Sequence, residues 1–366
     1  MATELSRGRP LDEHAARSPC CKPLPEDGMN QALVWGIAVV TLAGILNGSF
    51  AAPMKKMSGW RWENSWLLFA FSGLIVFPWI INFATVPNVA SVYAGASSAT
   101  LIKVLLFGLL WGVGSTLFGL GISRVGMALG FALILGITAS FGSLLPLAIL
   151  HSEQLTTKRG LALIAGTAVM VLGLVFLALA GRAREHDSQT SGVARSSFAI
   201  GLVICIFSGI FSSMMNFSFI FGDELRLRAL QSGASNAMAA NPIWTLTVTG
   251  GFVANFLYCV YLLNKNRTWS VFREGTPSSY WPLGILTGLL WFGGIVFYGM
   301  GAASLGALGG IVGWPIFMTV DIIAALLWGA VSGEWKGASR RALIYNWTGV
   351  GVLLLAIAII SAGNAG

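Results

Sequence analysis

Two stretches of the chain repeat each other: residues 106–130 read LFGLLWGVGSTLFGLGISRVGMALG, and residues 286–310 read LTGLLWFGGIVFYGMGAASLGALGG. They align without a gap, and ten of the 25 positions are identical, including an LLW triplet and six glycines. A biased composition matches a few Leu and Gly by chance, but not this triplet together with the glycines in register. The match indicates two copies of one helix. A weaker echo pairs residues 36, 44 and 45 with residues 201, 209 and 210.

The composition places these copies in a membrane. The 366 residues are 55% hydrophobic and 10% charged, with a mean hydropathy of +0.76, whereas soluble domains carry roughly 25% charged residues. The 46 glycines, 14 tryptophans and 22 phenylalanines are typical of packed membrane helices with interfacial aromatic belts. A disordered chain, a disulfide scaffold and an ordinary cytosolic enzyme are excluded.

The net charge of +8 does not indicate a nucleic-acid partner, because the 22 Lys and Arg fall almost wholly in short loops between apolar runs. The apolar runs are long enough to span a bilayer, and the surrounding lipid is the expected partner. The sequence predicts an all-α membrane protein with ten transmembrane helices, at residues 32–52, 64–84, 101–123, 126–149, 160–181, 197–221, 238–263, 282–302, 305–331 and 343–362.

The repeat divides the chain into two units of five helices, residues 29–181 and 197–366, joined by a polar linker at 182–196. Because five is odd, the second unit must be inverted relative to the first. Inverted repeats are typical of secondary transporters, whose substrate site lies near mid-membrane between the repeats. Residues 1–28 are predicted to be a disordered polar tail without the apolar core of a signal peptide, and Met29 is an alternative start.

Basic residues predict the orientation. The loops after helices 1, 3, 5, 7 and 9 carry 13 Lys and Arg, and the opposite face carries nine. The positive-inside rule then places both termini outside the cytoplasm.

Two carboxylates are candidates for proton coupling. Asp321 lies deep in the ninth apolar segment, where a charge costs a few kcal/mol and must face protein or a water cavity. It is either a coupling or substrate residue, or a structural carboxylate bonded to Ser, Thr or Asn. Glu63 opens the second helix, as a first-turn stabiliser or as a gate or relay paired with Lys55, Lys56 or Arg61.

Neutral polar and aromatic side chains are candidates for substrate binding. Asn47 and Asn216 lie near corresponding places in the two repeats and either bind substrate or join helices. Trp111, Trp291 and Trp314 lie within spans, where indole faces stack on sugar C–H surfaces or pack against other helices. Trp314 precedes Pro315, which frees a backbone carbonyl and kinks the helix beside Asp321. No metal-ligand cluster, nucleotide loop or nucleophile motif occurs, so no metal and no cofactor are expected.

Three groups of residues carry a resemblance. They are 52–63 (APMKKMSGWRWE), 107–114 (FGLLWGVG) with its continuation through Gly119-Leu120, Gly126-Met127 and Gly136-Ile137-Thr138, and 334–341 (EWKGASRR). Together they resemble the L-rhamnose–proton symporter family of the drug/metabolite transporter superfamily, over about residues 32–362. Charged residues in these motifs are gate or inner-loop candidates: Lys55, Lys56, Glu334, Arg340 and Arg341. Asp321 and residues 222–280 depart from the family pattern.

The resemblance implies a ten-helix transporter of the bacterial inner membrane that imports L-rhamnose or a related sugar with protons, or with sodium as the alternative coupling ion. An exporter or exchanger of another small metabolite, such as an amino acid or nucleoside, is an alternative on the same scaffold. A membrane enzyme or assembly factor is a further alternative, but no cluster of polar residues on one membrane face favours it.

Overall fold

A computed structural model of the chain describes residues 26–125, 127–187, 195–274, 277–306, 309–333 and 335–364. Within these residues, ten helices are long and apolar enough to cross a membrane. This confirms the predicted all-α membrane architecture with ten spans. A helix closes most of its backbone hydrogen bonds within itself, as a segment surrounded by lipid must.

The first half contains five spans. The second span consists of two helices joined by a π turn at Ser72–Val76, and a short extra helix follows it. The helices are α1 (Glu26–Gly48), α2 (Trp62–Phe71), α3 (Phe77–Thr85), α4 (Val89–Gly95), α5 (Ser98–Val125), α6 (Met127–Leu150) and α7 (Lys158–Asp187).

The second half contains the other five spans. Its first span breaks at Ser213 and continues, and a short polar helix follows it. The helices are α8 (Arg195–Ser212), α9 (Met214–Phe221), α10 (Asp223–Gln231), α11 (Asn241–Asn266), α12 (Tyr280–Ser304), α13 (Gly309–Val331) and α14 (Arg340–Asn364).

The helix bounds differ from two predicted boundaries. The predicted tail ended at residue 28, but α1 begins at Glu26; residues 1–25 lie outside the described part of the chain. The predicted linker began at residue 182, but α7 continues to Asp187, and only residues 188–194, which are not described, separate it from α8. Polar residues extend a helix that a span has already nucleated, because each added residue gains one backbone hydrogen bond.

The first span of each half packs against helices of the other half. Helix α1 packs mainly against α12 and α13, and α8 packs mainly against α5 and α6. We call α1, α12 and α13 the first bundle, and α5, α6, α8 and α9 the second bundle. The pairs α2–α11 and α7–α14 also join one half to the other. The predicted units 29–181 and 197–366 are therefore continuous in sequence but interleaved in packing.

Equivalent glycines make equivalent contacts in the two bundles. A methyl group on Gly44 of α1 would lie 2.7 Å from Cβ of Val320, and one on Gly209 of α8 would lie 2.7 Å from Cβ of Ile137. Gly44 and Gly209 were paired by the sequence echo. The matched contacts support the predicted duplication, and the inversion of the second copy stays a prediction.

Candidate functional site

Trp111 and Trp291, the tryptophans shared by the two repeated stretches, stack on each other. Their ring centroids are 5.2 Å apart, and their planes differ by 29°. Each lies near the middle of its helix, α5 and α12 respectively. Gly251 of α11 makes room for this pair, because a methyl group there would lie 2.5 Å from the Trp111 ring. The structure thus brings two predicted site residues together at the centre of the molecule.

Further aromatic rings extend this pair towards α2. Phe69 meets Trp291 edge-on at 5.8 Å, and Trp66 meets Phe69 at 4.9 Å. Trp60 is buried against Phe272, and Trp66 is partly buried in the central aromatic group. Residue type alone does not tell which face of α2 carries a ring.

Asn255 of α11 supplies the polar side of the aromatic group. Its Oδ1 accepts hydrogen bonds from Trp66 Nε1 at 2.9 Å and from Ser115 Oγ at 3.0 Å. Its Nδ2 donates to the carbonyl oxygen of Gly251 at 2.9 Å. Asn255 was not among the sequence candidates, although its polar side chain in an apolar segment joins three helices at the centre. That polarity was the one available signal.

The end of α1 connects the tryptophan pair to Asp321. Asn47 is buried, and its Nδ2 donates to the carbonyl oxygen of Trp291 at 3.2 Å. The next residue, Gly48, packs directly against the backbone carbonyl of Asp321, where a methyl group would overlap the oxygen. Residues 47 and 48 therefore contact α12 and α13 at the same level.

Asp321 itself is partly buried in α13. Among the described residues, none forms a hydrogen bond or an ion pair with its carboxylate. The predicted alternative, a structural carboxylate bonded to Ser, Thr or Asn, is therefore not what the structure shows. An unbonded carboxylate within a span is costly unless it takes up a proton or meets water.

Glu63 has the opposite surroundings. Its side chain is buried, and Oε1 accepts hydrogen bonds from Asn266 Nδ2 and Thr268 Oγ1, both at 2.9 Å. Among the described residues, Glu63 forms no ion pair with Lys55 or Lys56, which the sequence suggested as partners. Glu63 fixes the start of α2 to the end of α11, which favours an anchoring role over a proton relay.

Asn216 and Trp314 lie away from the tryptophan pair. Asn216 Nδ2 donates to the carbonyl oxygens of Gly142 at 2.8 Å and Gly310 at 2.9 Å, and its Oδ1 accepts the Tyr298 hydroxyl at 2.7 Å. Both amide hydrogens are in use, which favours the helix-joining role for Asn216. Trp314 is buried, and its Nε1 donates to a carbonyl oxygen of α6 at 3.1 Å.

Asn47 and Asn216 also prove not to be equivalent. The spacing that pairs Gly44 with Gly209 pairs Asn47 with Ser212, one helical turn before Asn216. The contacts agree, because a methyl group on Gly294 would meet Asn47, and one on Gly114 would meet Ser212.

The gate or inner-loop candidates lie outside the central group. Lys55 Nζ donates to Ser332 Oγ at 3.3 Å, and the Arg341 guanidinium lies over the Tyr345 ring at 5.4 Å. Lys56 and Arg340 are exposed. Glu334 lies outside the described residues.

The central group can bind a small polar molecule through stacking and hydrogen bonds. Indole faces pack against C–H surfaces, Asn and Ser offer donors and acceptors, and Asp321 offers a site for a cation or proton. Within the described residues, no three metal-ligating side chains come together.

Several known proteins are similar to this chain over almost its whole length. A profile of the L-rhamnose-proton symport protein family (RhaT) matches residues 29–366. L-rhamnose-proton symporters from Klebsiella pneumoniae (strain 342), Escherichia coli O1:K1 / APEC and Shigella boydii serotype 18 are 30%, 28% and 29% identical to this chain. Each alignment covers 92% of this chain and 100% of the relative. The chain belongs to the L-rhamnose-proton symport protein family.

Proposed function

We propose that this protein imports L-rhamnose or a closely related sugar together with protons, by alternating access. The family is one of transporters, not enzymes. The observation that carries the proposal is an unbonded carboxylate, Asp321, which the end of α1 connects to a stacked tryptophan pair at the centre of ten spans. A bacterial inner membrane is the proposed location, with both chain ends outside the cytoplasm.

The depth of these groups supports a shared site. The rings of Tyr298 and Trp314 lie 5.6 Å apart, which sets α12 and α13 at one level there. Trp291 and Asp321 each lie seven residues from that contact along their own helices, in both cases away from the face where the chain begins. Seven residues correspond to about 10 Å of helix. Trp291 and Asp321 are therefore at a similar depth.

We assign the binding of sugar to Trp111, Trp291, Asn47 and Asn255, and the uptake of the proton to Asp321. A sugar ring that enters between the stacked indoles replaces ring–ring contact with ring–C–H contact. The Asn amides supply directional hydrogen bonds, which discriminate hydroxyl positions. Protonation removes the charge of Asp321, and sugar and proton then favour each other by a coupling of about 1–3 kcal/mol.

Alternating access needs two bodies that move against each other around the site. The first and second bundles meet at Trp111 and Trp291, one residue from each. An inverted repeat gives the two bodies similar shapes. When they exchange conformations, the site closes to one face of the membrane and opens to the other.

The test is uptake of radiolabelled L-rhamnose into proteoliposomes under an imposed inward proton gradient. Accumulation that a protonophore abolishes supports the proposal. Accumulation driven by a sodium gradient alone would show that sodium, and not the proton, is the coupling ion. Counterflow with an amino acid or nucleoside but not with sugar would show that the transported substrate is not a sugar. No uptake by well-reconstituted protein would overturn sugar import.

A further inference from the structure

A cavity of about 500 Å³ opens between the two bundles on the face where α1 begins. Small-molecule sites typically have roughly 300–1,000 Å³, so a monosaccharide has room to enter. We call this cavity the vestibule. Its mouth carries the ion pair of Asp223 and Arg226, and its deeper part is lined by Phe219, Ile220, Ala303 and Gly310.

A layer of hydrogen bonds lies directly beneath the vestibule. The Tyr298 hydroxyl bonds Asn216 Oδ1 at 2.7 Å and the Gly310 carbonyl oxygen at 3.1 Å, and Asn216 Nδ2 donates to the same carbonyl at 2.9 Å. All three residues are within one or two turns of the vestibule lining. Asn216 and Tyr298 are fully buried, so the layer leaves no opening at this point.

The bonds that Asn216 makes with Tyr298 and Gly310 cross from one bundle to the other. Asn216 belongs to the second bundle, whereas Tyr298 and Gly310 belong to the first. Trp314 of the first bundle adds a bond from Nε1 to the carbonyl oxygen of Thr138 in the second, at 3.1 Å. Among the described side chains, the hydrogen bonds between the two bundles all lie in this layer.

The layer separates the vestibule from the central site. Along α12 the order is Ala303 in the vestibule, Tyr298 in the layer and Trp291 at the centre. Along α13 the order is Gly310, then Trp314, then Asp321. Both helices therefore place the layer between the cavity and the groups assigned to sugar and proton.

We infer that Tyr298 and Asn216 are gate residues, whose hydrogen bonds hold the protein closed on the face where the chain begins. A sugar that moves between the vestibule and the centre must break them, and the two bundles separate as they break. The assignment rests on the central site proposed above, but closure can be measured without transport.

The experiment measures access to the centre from the vestibule side. In a background in which all four cysteines (Cys20, Cys21, Cys205 and Cys259) are replaced by serine or alanine, Ser115→Cys places one thiol beside Asn255. A membrane-impermeant thiol reagent is added from the face where the chain begins, without sugar or gradient. Tyr298→Phe, which keeps the ring and removes both hydroxyl bonds, is expected to raise the labelling rate about tenfold. That factor corresponds to ~1.4 kcal/mol, about one net hydrogen bond.

A vestibule thiol is the matched control. Ala303→Cys is expected to react at the same rate with or without Tyr298→Phe, because it lies above the layer. Asn216→Ala is the second variant and is expected to act like Tyr298→Phe at position 115. Unchanged labelling at position 115 in both variants, with normal labelling at position 303, would overturn the assignment of Tyr298 and Asn216 as gate residues. Because no substrate is used, this result is independent of whether the cargo is rhamnose.

Discussion

Asp321 and Glu63 are both carboxylates at membrane spans, but their surroundings give them different roles. Glu63 accepts two hydrogen bonds at 2.9 Å, from the last residue of α11 and from Thr268 just beyond it. Asp321 accepts none from the described residues and lies beside the end of α1. A satisfied carboxylate holds structure together, whereas an unsatisfied one in a span gains most from taking up a proton.

Replacing Asp321 with Asn should uncouple transport. We expect Asp321→Asn to abolish gradient-driven accumulation and its pH dependence, because an amide cannot exchange a proton. Sugar counterflow at equal concentrations should persist, because it needs no net proton movement. Glu63→Gln is the matched control: the amide oxygen still accepts from Asn266 and Thr268, and coupled uptake should remain. A normal pH dependence in Asp321→Asn would remove Asp321 from the mechanism.

Replacing Trp111 should weaken sugar binding. We expect Trp111→Ala to raise the apparent KM for uptake by about tenfold, since aromatic stacking contributes about 0.5–1.5 kcal/mol beyond area burial and the loss of packing adds to this. Trp347→Ala on α14 is the control, because Trp347 is 58% exposed on the outer surface and should leave KM unchanged. Equal KM in the two variants would contradict the assignment of Trp111.

Pairs of elements are held together in two different ways. Helices α2 and α3 are tied to α11 by polar bonds, including Trp79 Nε1 to Thr249 Oγ1 at 3.2 Å and Asn241 Nδ2 to Thr85 Oγ1 at 2.8 Å. Tyr93 of α4 strengthens one end, donating to the Pro242 carbonyl at 2.9 Å. Burial raises the pKa of Tyr93, so its hydroxyl remains a donor. Helices α1 and α13, by contrast, approach through glycines.

Substitution of the paired glycines Gly44 and Gly209 tests whether the two bundles are packed in the same way. We expect Gly44→Ala and Gly209→Ala each to lower the melting temperature in detergent, by similar amounts, because a methyl group at either position would lie 2.7 Å from a neighbouring Cβ. Overpacking of this kind costs about 1–3 kcal/mol. Gly119→Ala on α5 is the control: nothing lies within 4 Å of its methyl position. Strongly unequal effects at 44 and 209 would argue against equivalent contacts.

The whole molecule interleaves its two halves. Because α1 lies with α12 and α13, and α8 with α5 and α6, a bundle that moves as one body contains helices from both halves. The three inter-bundle hydrogen bonds described above lie on one face, which makes that face the closed one in this structure.

Orientation in the membrane follows from charge. We expect an impermeant thiol reagent to label Gln231→Cys but not Lys336→Cys in intact cells, with the native cysteines removed. Both positions are exposed; Gln231 is the last residue of α10 and Lys336 follows α13, on opposite faces. The face of Lys336 carries 13 of the 22 basic residues and should lie in the cytoplasm. The reverse labelling would place both chain ends in the cytoplasm.

The sequence by itself determined the membrane class, the ten spans and the family, and it identified the equivalent Trp111 and Trp291. Apolar length, repeated motifs and their register are local properties, so they can be read along the chain. It also identified Asp321 as the one acidic residue deep in a span.

Only the tertiary structure decided which polar and aromatic residues meet. Trp66 and Asn255 lie at the centre, whereas Asn216 and Trp314 lie in the layer of hydrogen bonds between the centre and the vestibule. A span that is apolar on all sides has no apolar stripe in its sequence, so the sequence does not indicate how the helix is rotated about its own axis. Each helix is therefore oriented by close contacts with residues far away in sequence, such as Gly44 with Val320, and such contacts leave no local pattern to read.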